Sequence, residues 1–420
     1  FKGFTTALAR ETASAPPAQK SFCTSMINKA TPGPIVMGDT LPSQFMPTAL
    51  STDLYEFTMA AGYYAHGELG SATFELWVRE LPRDRGFLIA AGLEQALDYL
   101  SRLQFTREEI EYLRAVPALR SAPNGFFNDY LPALRFTGDV WAVPEGTPIF
   151  PDEPLLRVTA PLPEAQIIET ALLATVLFQT SIASKAARVV AAAGGRPVIE
   201  FGSRRAHGTA AAALAARGAF IGGCTGTSNV EAGFRFGIPI SGTMAHSWVM
   251  AHATEMEGFH RYMEVFGEES VLLIDTYDPI RAVRGIGRAR MHPSAVRLDS
   301  GDLEVLSRQV RQALDEAGLR DTQIFASGDL DEHRITSLVD KGAPIDGFGV
   351  GTALSTSNDA PALGGVYKLV ETTQDGIRVP TLKLSAQKET YAGPKQVWRR
   401  TVKGAAISDY LGTSDEEGPG

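Results

Sequence analysis

Polar residues and glycines recur directly after short apolar segments in the second half of the sequence. Arg204 and Arg205 follow the first of these segments, and Arg297 lies in a later one. Arginine side chains form charge-assisted, often bidentate hydrogen bonds with phosphate or carboxylate groups. Loops of glycine and small hydroxyl residues that open helices present backbone N–H groups to phosphate. The residues of this second kind are Gly301, Gly328, Gly351 and Thr352.

Two carboxylates and a histidine follow other apolar segments. Asp275 and Asp299 could accept hydrogen bonds from sugar hydroxyls or hold Mg²⁺ through water, as hard oxygen ligands do. His246 alone carries little weight, since a single histidine is more often a satisfied structural residue than a catalytic one. The arginines, carboxylates and glycine loops together predict a phosphorylated sugar substrate with Mg²⁺. The residues that would bind the metal are not identified by the sequence.

The apolar segments themselves predict a parallel sheet. Short, nearly continuous apolar runs that alternate with amphipathic helices are typical of strands buried on both faces. About seven such units in roughly 160 residues favour a closed barrel over an open sheet, and the polar residues are then expected at the carboxyl ends of its strands. The predicted strands are PVIEF (197–201), AFIGG (219–223), IPISG (238–242), VLLID (271–275), AVRLD (295–299), QIFAS (323–327) and IDGFGVG (345–351).

The remainder of the chain predicts a second domain of mixed helices and strands. STDLYEFTMAAGYY (51–64) begins with capping residues and predicts a helix. ATFELWVREL (72–81) alternates in polarity like a half-buried strand. The β-prone segments after residue 364 predict a hairpin with a turn at Asp375 and Gly376. We expect this hairpin to pack onto the strands of the same second domain. The predicted fold class is therefore α/β, an irregular βα barrel (161–363) with a discontinuous second α+β domain (46–160 with 364–413).

Composition narrows the class of protein further. The 420 residues are 44% hydrophobic and 21% charged, which excludes wholesale disorder. The net charge of −9 argues against nucleic acid or a membrane surface as the main partner. Two cysteines cannot form a disulfide framework, and they lack the spacing of a zinc site, so we expect a cytoplasmic protein. Residues 1–45 are rich in linker chemistry and predict a disordered leader.

Seven stretches contain most of these candidate residues; in chain order they are STDLYEFTMAAGYY (51–64), EFGSRRAHG (200–208), GCTGTSNVEAG (223–233), GTMAHSWVMA (242–251), LIDTYDP (273–279), RLDSGDL (297–303) and GFGVGT (347–352). In these stretches the sequence resembles the nicotinate phosphoribosyltransferases, a family of type II phosphoribosyltransferases. The resemblance covers the chain from about residue 50 to about residue 400, and the family's irregular barrel with a discontinuous second domain agrees with the prediction above.

The resemblance implies a reaction. Nicotinate and phosphoribosyl pyrophosphate would give nicotinate mononucleotide and pyrophosphate, the first step of NAD salvage from nicotinate. Coupled ATP hydrolysis would pass through a phosphohistidine, with Mg²⁺ as cofactor and ATP as co-substrate. His246 matches the phosphorylated residue of the family.

The resemblance also implies binding roles. Thr243 and Arg297 match residues that contact nicotinate, and Phe201 and Tyr55 match aromatics that stack on its ring. Tyr55 would reach the barrel of a neighbouring subunit, so a homodimer with the site at the subunit interface is expected. The positions that match contacts to the phosphoribosyl group are Arg204 or Arg205, Asp275, Asp299, Gly351 and Thr352.

Three alternatives remain at this point. A nicotinamide or quinolinate phosphoribosyltransferase would share the fold, although Arg297 favours an acid over an amide. A catalytically inactive barrel could serve as a binding module, but packing alone does not require His246, Arg297 and Asp299 at strand ends. An aldolase or isomerase barrel would need a lysine or glutamate at a strand end, and Glu200 is a weak candidate.

Overall fold

The computed structural model describes residues 47–374, 376–383, 391–403 and 405–419. The predicted leader and Asp375 of the predicted turn lie outside these residues. The strands are β1 (Ser71–Val78), β2 (Leu88–Ile89), β3 (Asp139–Ala142), β4 (Pro148–Ile149), β5 (Leu156–Pro161), β6 (Val198–Glu200), β7 (Gly226–Thr227), β8 (Val271–Leu273), β9 (Ala295–Leu298), β10 (Gln323–Ala326), β11 (Gly347–Val350), β12 (Gly365–Gln374), β13 (Ile377–Pro380), β14 (Lys395–Val402) and β15 (Ala405–Thr413).

The α-helices alternate with the strands through most of the chain. They are α1 (Leu54–His66), α2 (Leu93–Ser101), α3 (Arg107–Ala115), α4 (Leu131–Ala133), α5 (Leu162–Ile167), α6 (Glu169–Ala192), α7 (Thr209–Ile221), α8 (Val230–Phe236), α9 (His246–Met250), α10 (Glu255–Phe266), α11 (Pro279–Arg288), α12 (Leu303–Glu316), α13 (Glu332–Asp340) and α14 (Thr352–Ser355). Within the described residues, no helix has the length and apolar character needed to cross a membrane.

Two compact units contain the described residues. Residues 47–181 and 362–419 form the first, and residues 182–361 form the second. The domain limits expected from the sequence stay predictions.

The first unit is built on an antiparallel sheet with the order β13-β12-β1-β5-β3. Strand β12 pairs along the whole length of β1, so the predicted return of the C-terminal hairpin to the β layer is confirmed. Phe74 on β1 stacks on Tyr367 of β12 with ring centroids 4.9 Å apart. The strand predicted over residues 72–81 is confirmed as β1, but neither face is exposed, because Thr73, Glu75 and Trp77 are buried as well as the apolar residues between them. Strand β1 is a central strand covered on both faces.

Helix α1 confirms the first predicted helix of this unit. The backbone N–H of Asp53 donates to the Glu56 carboxylate at 3.0 Å, as in a capping box. At its other end, Gly67 has a φ of 68°, which suits a glycine C-cap.

The second unit is a curled parallel sheet with the order β7-β6-β11-β10-β9-β8. All five pairings in it are parallel, and Ile240 extends the curl through one parallel bridge to Thr227. The predicted α/β class with an irregular βα barrel is confirmed, although the described sheet is a half-barrel of six strands, with β7 and β8 at its two ends, rather than a closed barrel of about seven. Since the strands are parallel, their carboxyl ends lie along one edge, where the polar residues follow them.

Two predicted strands of this unit are wrong. IPISG (238–242) contributes only the single bridge at Ile240 and forms no strand. AFIGG (219–223) forms the end of α7 and the Gly222–Gly223 turn after it, rather than a strand. The alanine-rich segment before it has high helix propensity, and the helix extends to Ile221. The strand that follows this helix is β7. It is only two residues long, so it has no apolar run from which it could be predicted.

Candidate active site

His246 is the first residue of α9, at the end of the loop that follows the Ile240 bridge. Its Nδ1 lies 3.0 Å from Oγ1 of Thr276, which follows β8. Its Nε2 lies 3.8 Å from Oδ2 of Asp299, which follows β9. The side chain is 40% exposed. The imidazole is therefore oriented through one nitrogen while remaining accessible to a ligand.

Arg297 approaches the same aspartate from β9. Its Nη2 lies 3.7 Å from Oδ1 of Asp299, and its Nη1 donates a hydrogen bond to Oγ1 of Thr243. The side chain is only 13% exposed, and its Nε is buried without a hydrogen-bond partner. Burial lowers the pKa of the guanidinium, while Asp299 and Asp275 act in the opposite direction. A buried guanidinium with a free donor is suited to bind a carboxylate.

Asp275 ties the carboxyl ends of β8 and β9 together. Its Oδ2 accepts hydrogen bonds from the Asp299 backbone N–H at 2.7 Å and from the Ser300 hydroxyl at 2.8 Å. Its Oδ1 is buried and has no hydrogen-bond partner. Ser327, after β10, donates to Oδ1 of Asp299. The carboxylates of Asp275 and Asp299 thus join the loops after β8, β9 and β10, and Oδ1 of Asp275 is left for a ligand.

The remaining predicted residues of this unit lie at the same edge of the sheet. Arg204 and Arg205 are exposed in a 3₁₀ turn after β6. Phe201 is half-buried, and its ring occupies the space that a side chain at Gly349 would need. Gly328 has a φ of 96°, and an added Cβ there would collide with the backbone of Asp299. The other glycine-loop residues follow β9 and β11, as Gly301, Gly351 and Thr352.

Tyr55 is the one predicted site residue outside the second unit. It lies on α1 of the first unit and is 47% exposed. Burial and the nearby Glu169 and Glu56 raise the pKa of its phenol. Its contact with a second subunit stays a prediction.

Sequence reasoning gave no site role to Thr276 or Ser327. Thr276 follows the predicted strand VLLID, and Ser327 is the last residue of the predicted strand QIFAS. A rule that every hydroxyl at a strand end is a candidate would have found both. The sequence suggests Glu200 only as a candidate aldolase residue. In the structure it is buried at the end of β6, and each of its carboxylate oxygens accepts a hydrogen bond.

Comparison with known proteins identifies the family of the chain. Family models match the nicotinate phosphoribosyltransferase N-terminal domain over residues 50–177 and the nicotinate phosphoribosyltransferase family over residues 197–380. Nicotinate phosphoribosyltransferase pncB2 of Mycobacterium tuberculosis is 46% identical over 383 residues, which cover 89% of this chain and 80% of the relative. The Bacillus subtilis nicotinate phosphoribosyltransferase is 45% identical over 386 residues, covering 88% of this chain and 77% of the relative.

Solved structures give the same result. Human nicotinic acid phosphoribosyltransferase superposes with a TM-score of 0.76 at 29% identity, covering 88% of this chain and 82% of the human chain. Nicotinate-nucleotide pyrophosphorylase from Pyrococcus furiosus superposes with a TM-score of 0.71 at 25% identity, covering 90% and 87% of the two chains. The fold and these similarities define the class as type II phosphoribosyltransferases. Within that class, the chain belongs to the nicotinate phosphoribosyltransferase family.

Proposed function

We propose that this chain joins nicotinate to phosphoribosyl pyrophosphate, releasing nicotinate mononucleotide and pyrophosphate, with ATP hydrolysis coupled through phosphorylation of His246. The observation that carries the proposal is the convergence of His246 and Arg297 on the carboxylate of Asp299. A nucleophile for phosphate and a receptor for a ring carboxylate then share one acidic neighbour.

Arg297 supplies the receptor for nicotinate. Its guanidinium is already aligned by Thr243 and Asp299, so little conformational entropy remains to be lost when a carboxylate binds. Phe201, whose ring packs over the small Gly349, supplies a face for the pyridine ring. This pairing of a cation with an aromatic surface favours an aromatic acid over its amide.

His246 is suited to accept a phosphoryl group from ATP. In the tautomer that donates from Nδ1 to Thr276, the lone pair lies on Nε2. That nitrogen attacks the γ-phosphorus, the bond to ADP breaks, and later attack by water releases phosphate. The modified imidazole carries a charge of about −1.5 to −2 next to Asp299 and Arg297, which changes the local field in each cycle.

Asp275 and Asp299 fit a role in holding Mg²⁺. Magnesium is usually bound by one or two carboxylates, with phosphate oxygens and water completing its shell. The unpartnered Oδ1 of Asp275 supports this role. Among the described residues, no group of three or more histidine, cysteine or acidic side chains could hold the ion alone, which is consistent with ligands shared with the substrate. The bound ion would neutralise charge on the departing pyrophosphate.

The test is a product assay with and without ATP. Purified protein is supplied with phosphoribosyl pyrophosphate, Mg²⁺ and either nicotinate, nicotinamide or quinolinate, and mononucleotide and pyrophosphate are quantified. We expect turnover with nicotinate that ATP increases. Comparable turnover of nicotinamide or quinolinate would contradict the substrate, and no product from any of the three would favour an inactive binding module.

The covalent step needs its own experiment. Incubation with ATP labelled in the γ-phosphate is expected to give an acid-labile label on the wild-type protein and none on His246→Ala. His252→Ala is the matched control, since His252 binds the Trp248 carbonyl at 2.7 Å through Nδ1 within the same segment. A label that persists in His246→Ala would refute the assignment.

A further inference from the structure

Glu200 ends strand β6 with a carboxylate that the proposed reaction does not use. The residue is 1% exposed. Its Oε2 accepts a hydrogen bond from the Thr227 hydroxyl at 2.6 Å, and its Oε1 accepts one from the Gly202 backbone N–H. Burial raises the pKa of this carboxyl, and the two hydrogen bonds act against that rise. Burying a carboxylate is costly, so a residue that only filled space here would better be apolar.

Hydrogen bonds fix both the backbone N–H and the carbonyl of Gly202. Its N–H donates to Glu200, and its carbonyl accepts a hydrogen bond from the Ser355 hydroxyl at 3.2 Å. Ser355 is buried on α14, directly after the Gly351 and Thr352 loop. An added Cβ at Gly202 would collide with the side chain of Ser355. The backbone that leads into Arg204 and Arg205 is therefore held at its first residue.

A second loop is tied to the same carboxylate. The Thr227 oxygen, whose proton goes to Glu200, accepts the Asn229 backbone N–H at 2.9 Å. The Asn229 amide donates to the Ser203 hydroxyl at 3.0 Å, and its carbonyl oxygen caps α8. The Glu200 carbonyl also accepts the Ser228 N–H at 2.9 Å. Glu200 thus links the loops after β6 and β7 into one hydrogen-bonded network.

The chemistry of this network favours a carboxylate over an amide. Both Glu200 oxygens act as acceptors, one from an N–H and one from an O–H. Glutamine offers only one acceptor oxygen, and its amide N–H₂ would keep the contact with Thr227 only by donating to the hydroxyl oxygen. The Thr227 proton would then lose its acceptor and both hydrogen bonds their negative charge, although the shape of the side chain would hardly change.

We propose that Glu200 is a positioning residue, which holds the 202–205 turn and the 227–229 loop so that Arg204 and Arg205 meet the phosphate groups of phosphoribosyl pyrophosphate. This inference rests on the proposed function. Glu200 contacts none of the reacting atoms in this role. Its effect is on phosphoribosyl pyrophosphate, whereas Arg297 binds nicotinate.

The test is Glu200→Gln, followed by two measurements. We expect the KM for phosphoribosyl pyrophosphate to rise about 10-fold or more, as for a lost hydrogen bond to a charged group, while the KM for nicotinate stays within about twofold. Amide hydrogen exchange is expected to accelerate in peptides that cover residues 201–208 and 226–230. Thr227→Val, which removes one donor and keeps the side-chain shape, should change both measurements in the same direction and serves if Glu200→Gln does not fold.

Glu164→Gln is the matched control. Glu164 is a buried glutamate of the first unit that also accepts a backbone N–H and a threonine hydroxyl, both from Thr137. This variant should alter stability without changing either KM or the exchange of the two loops. An active Glu200→Gln enzyme with unchanged exchange and an unchanged KM for phosphoribosyl pyrophosphate overturns the positioning role. A wild-type protein without turnover instead contradicts the proposed function, and the exchange measurement separates the two failures.

Discussion

Asp299 places its Oδ2 3.8 Å from Nε2 of His246. The other oxygen of the same carboxylate lies 3.7 Å from Arg297 and accepts a hydrogen bond from Ser327. A single aspartate therefore connects the nitrogen proposed to carry phosphate with the guanidinium proposed to bind nicotinate. Any change of charge at His246 is felt at Arg297 through this carboxylate.

Asp299→Asn should uncouple the two groups with little change in shape. The imidazole ring becomes cationic as its Nε2 attacks phosphorus, and the substitution removes the anionic neighbour that stabilises the ring in that step. We therefore expect less phosphohistidine and a kcat/KM about 10- to 100-fold lower. Steady-state rates and labelling from γ-labelled ATP measure the two effects. Asp302→Asn is the control, because Asp302 caps α12 through Glu304 and Val305 and touches neither group. Full labelling in Asp299→Asn would contradict the coupling.

Arg297→Lys should weaken nicotinate binding specifically. Lysine keeps the charge but loses the planar fork that pairs with a carboxylate and with Thr243. We expect the KM for nicotinate to rise about 10- to 100-fold, with a much smaller effect on the KM for phosphoribosyl pyrophosphate. Thr243→Val, which removes only the oxygen that orients Arg297, should give a smaller increase of the same kind. Equal increases in both KM values would place Arg297 elsewhere in the mechanism.

Lys185→Met should destabilise the second unit. Lys185 is 2% exposed, and its Nζ lies 2.6 Å from Glu332 and 2.9 Å from Asp359, while Arg188 approaches Glu332 to 3.1 Å. Removing the lysine leaves two carboxylates facing one guanidinium, which is expected to lower the free energy of unfolding by about 3–5 kcal/mol. Urea denaturation measures the change.

The control for this cluster is Lys341→Met, which breaks an exposed pair with Glu304 of 2.8 Å. Exposed pairs contribute about 0–1 kcal/mol, so little change is expected. The double variant Lys185→Met with Glu332→Met leaves one guanidinium with one carboxylate and should recover much of the loss. A Lys185→Met protein as stable as the control would show that the cluster adds nothing.

The C-terminal hairpin of the first unit should respond to pH. Burial, together with the hydrogen bond and charge of Asp409, raises the pKa of Glu153 to about 8. Arg399 pairs with Asp409 at 2.7 Å and lies 3.8 Å from Glu153. The unfolded chain releases the Glu153 proton at lower pH than the folded chain. Stability from this group is therefore lost as pH rises from about 4.5 to about 8, by up to about 1.4 kcal/mol per pH unit.

Glu153→Gln tests this dependence, because glutamine imitates the protonated acid. Its stability should fall less steeply over that pH range and exceed that of the wild type above pH 7, as measured by denaturant unfolding at several pH values. Glu80→Gln changes an exposed glutamate of the same unit and should keep the wild-type slope. Parallel slopes for wild type and Glu153→Gln would exclude Glu153 as the source.

The sequence predicts the edge where the site lies better than it predicts the contacts there. Strand ends at Asp275 and Asp299 could be located because the strands are apolar and continuous. Their mutual contact depends on the register between β8 and β9, in which Leu273 lies opposite Arg297. Strands that are buried on both faces are continuous apolar runs, so their polarity pattern does not specify the register or the strand order.

Two failures have local causes. Strand β7 consists of Gly226 and Thr227, too short to give a hydrophobic pattern, so its place was assigned to the end of an alanine-rich helix. Strand β1 alternates in polarity yet is buried on both faces, because Glu75 pairs with Lys395 at 2.7 Å inside the unit. Lys395 lies 320 positions further along the chain and neutralises the charge of Glu75. The polarity of Glu75 alone predicts a face in contact with solvent.

The pairing of β1 with β12 has a consequence for synthesis of the chain. Residues near 75 pair with residues near 368, so the sheet of the first unit lacks β12 and β13 until the ribosome has translated the whole second unit. The segment that forms the second unit emerges in the interval as one uninterrupted stretch. We infer that the second unit folds first. Until β12 is synthesised, β1 keeps an unpaired edge, and nascent chains are most exposed to aggregation at this edge.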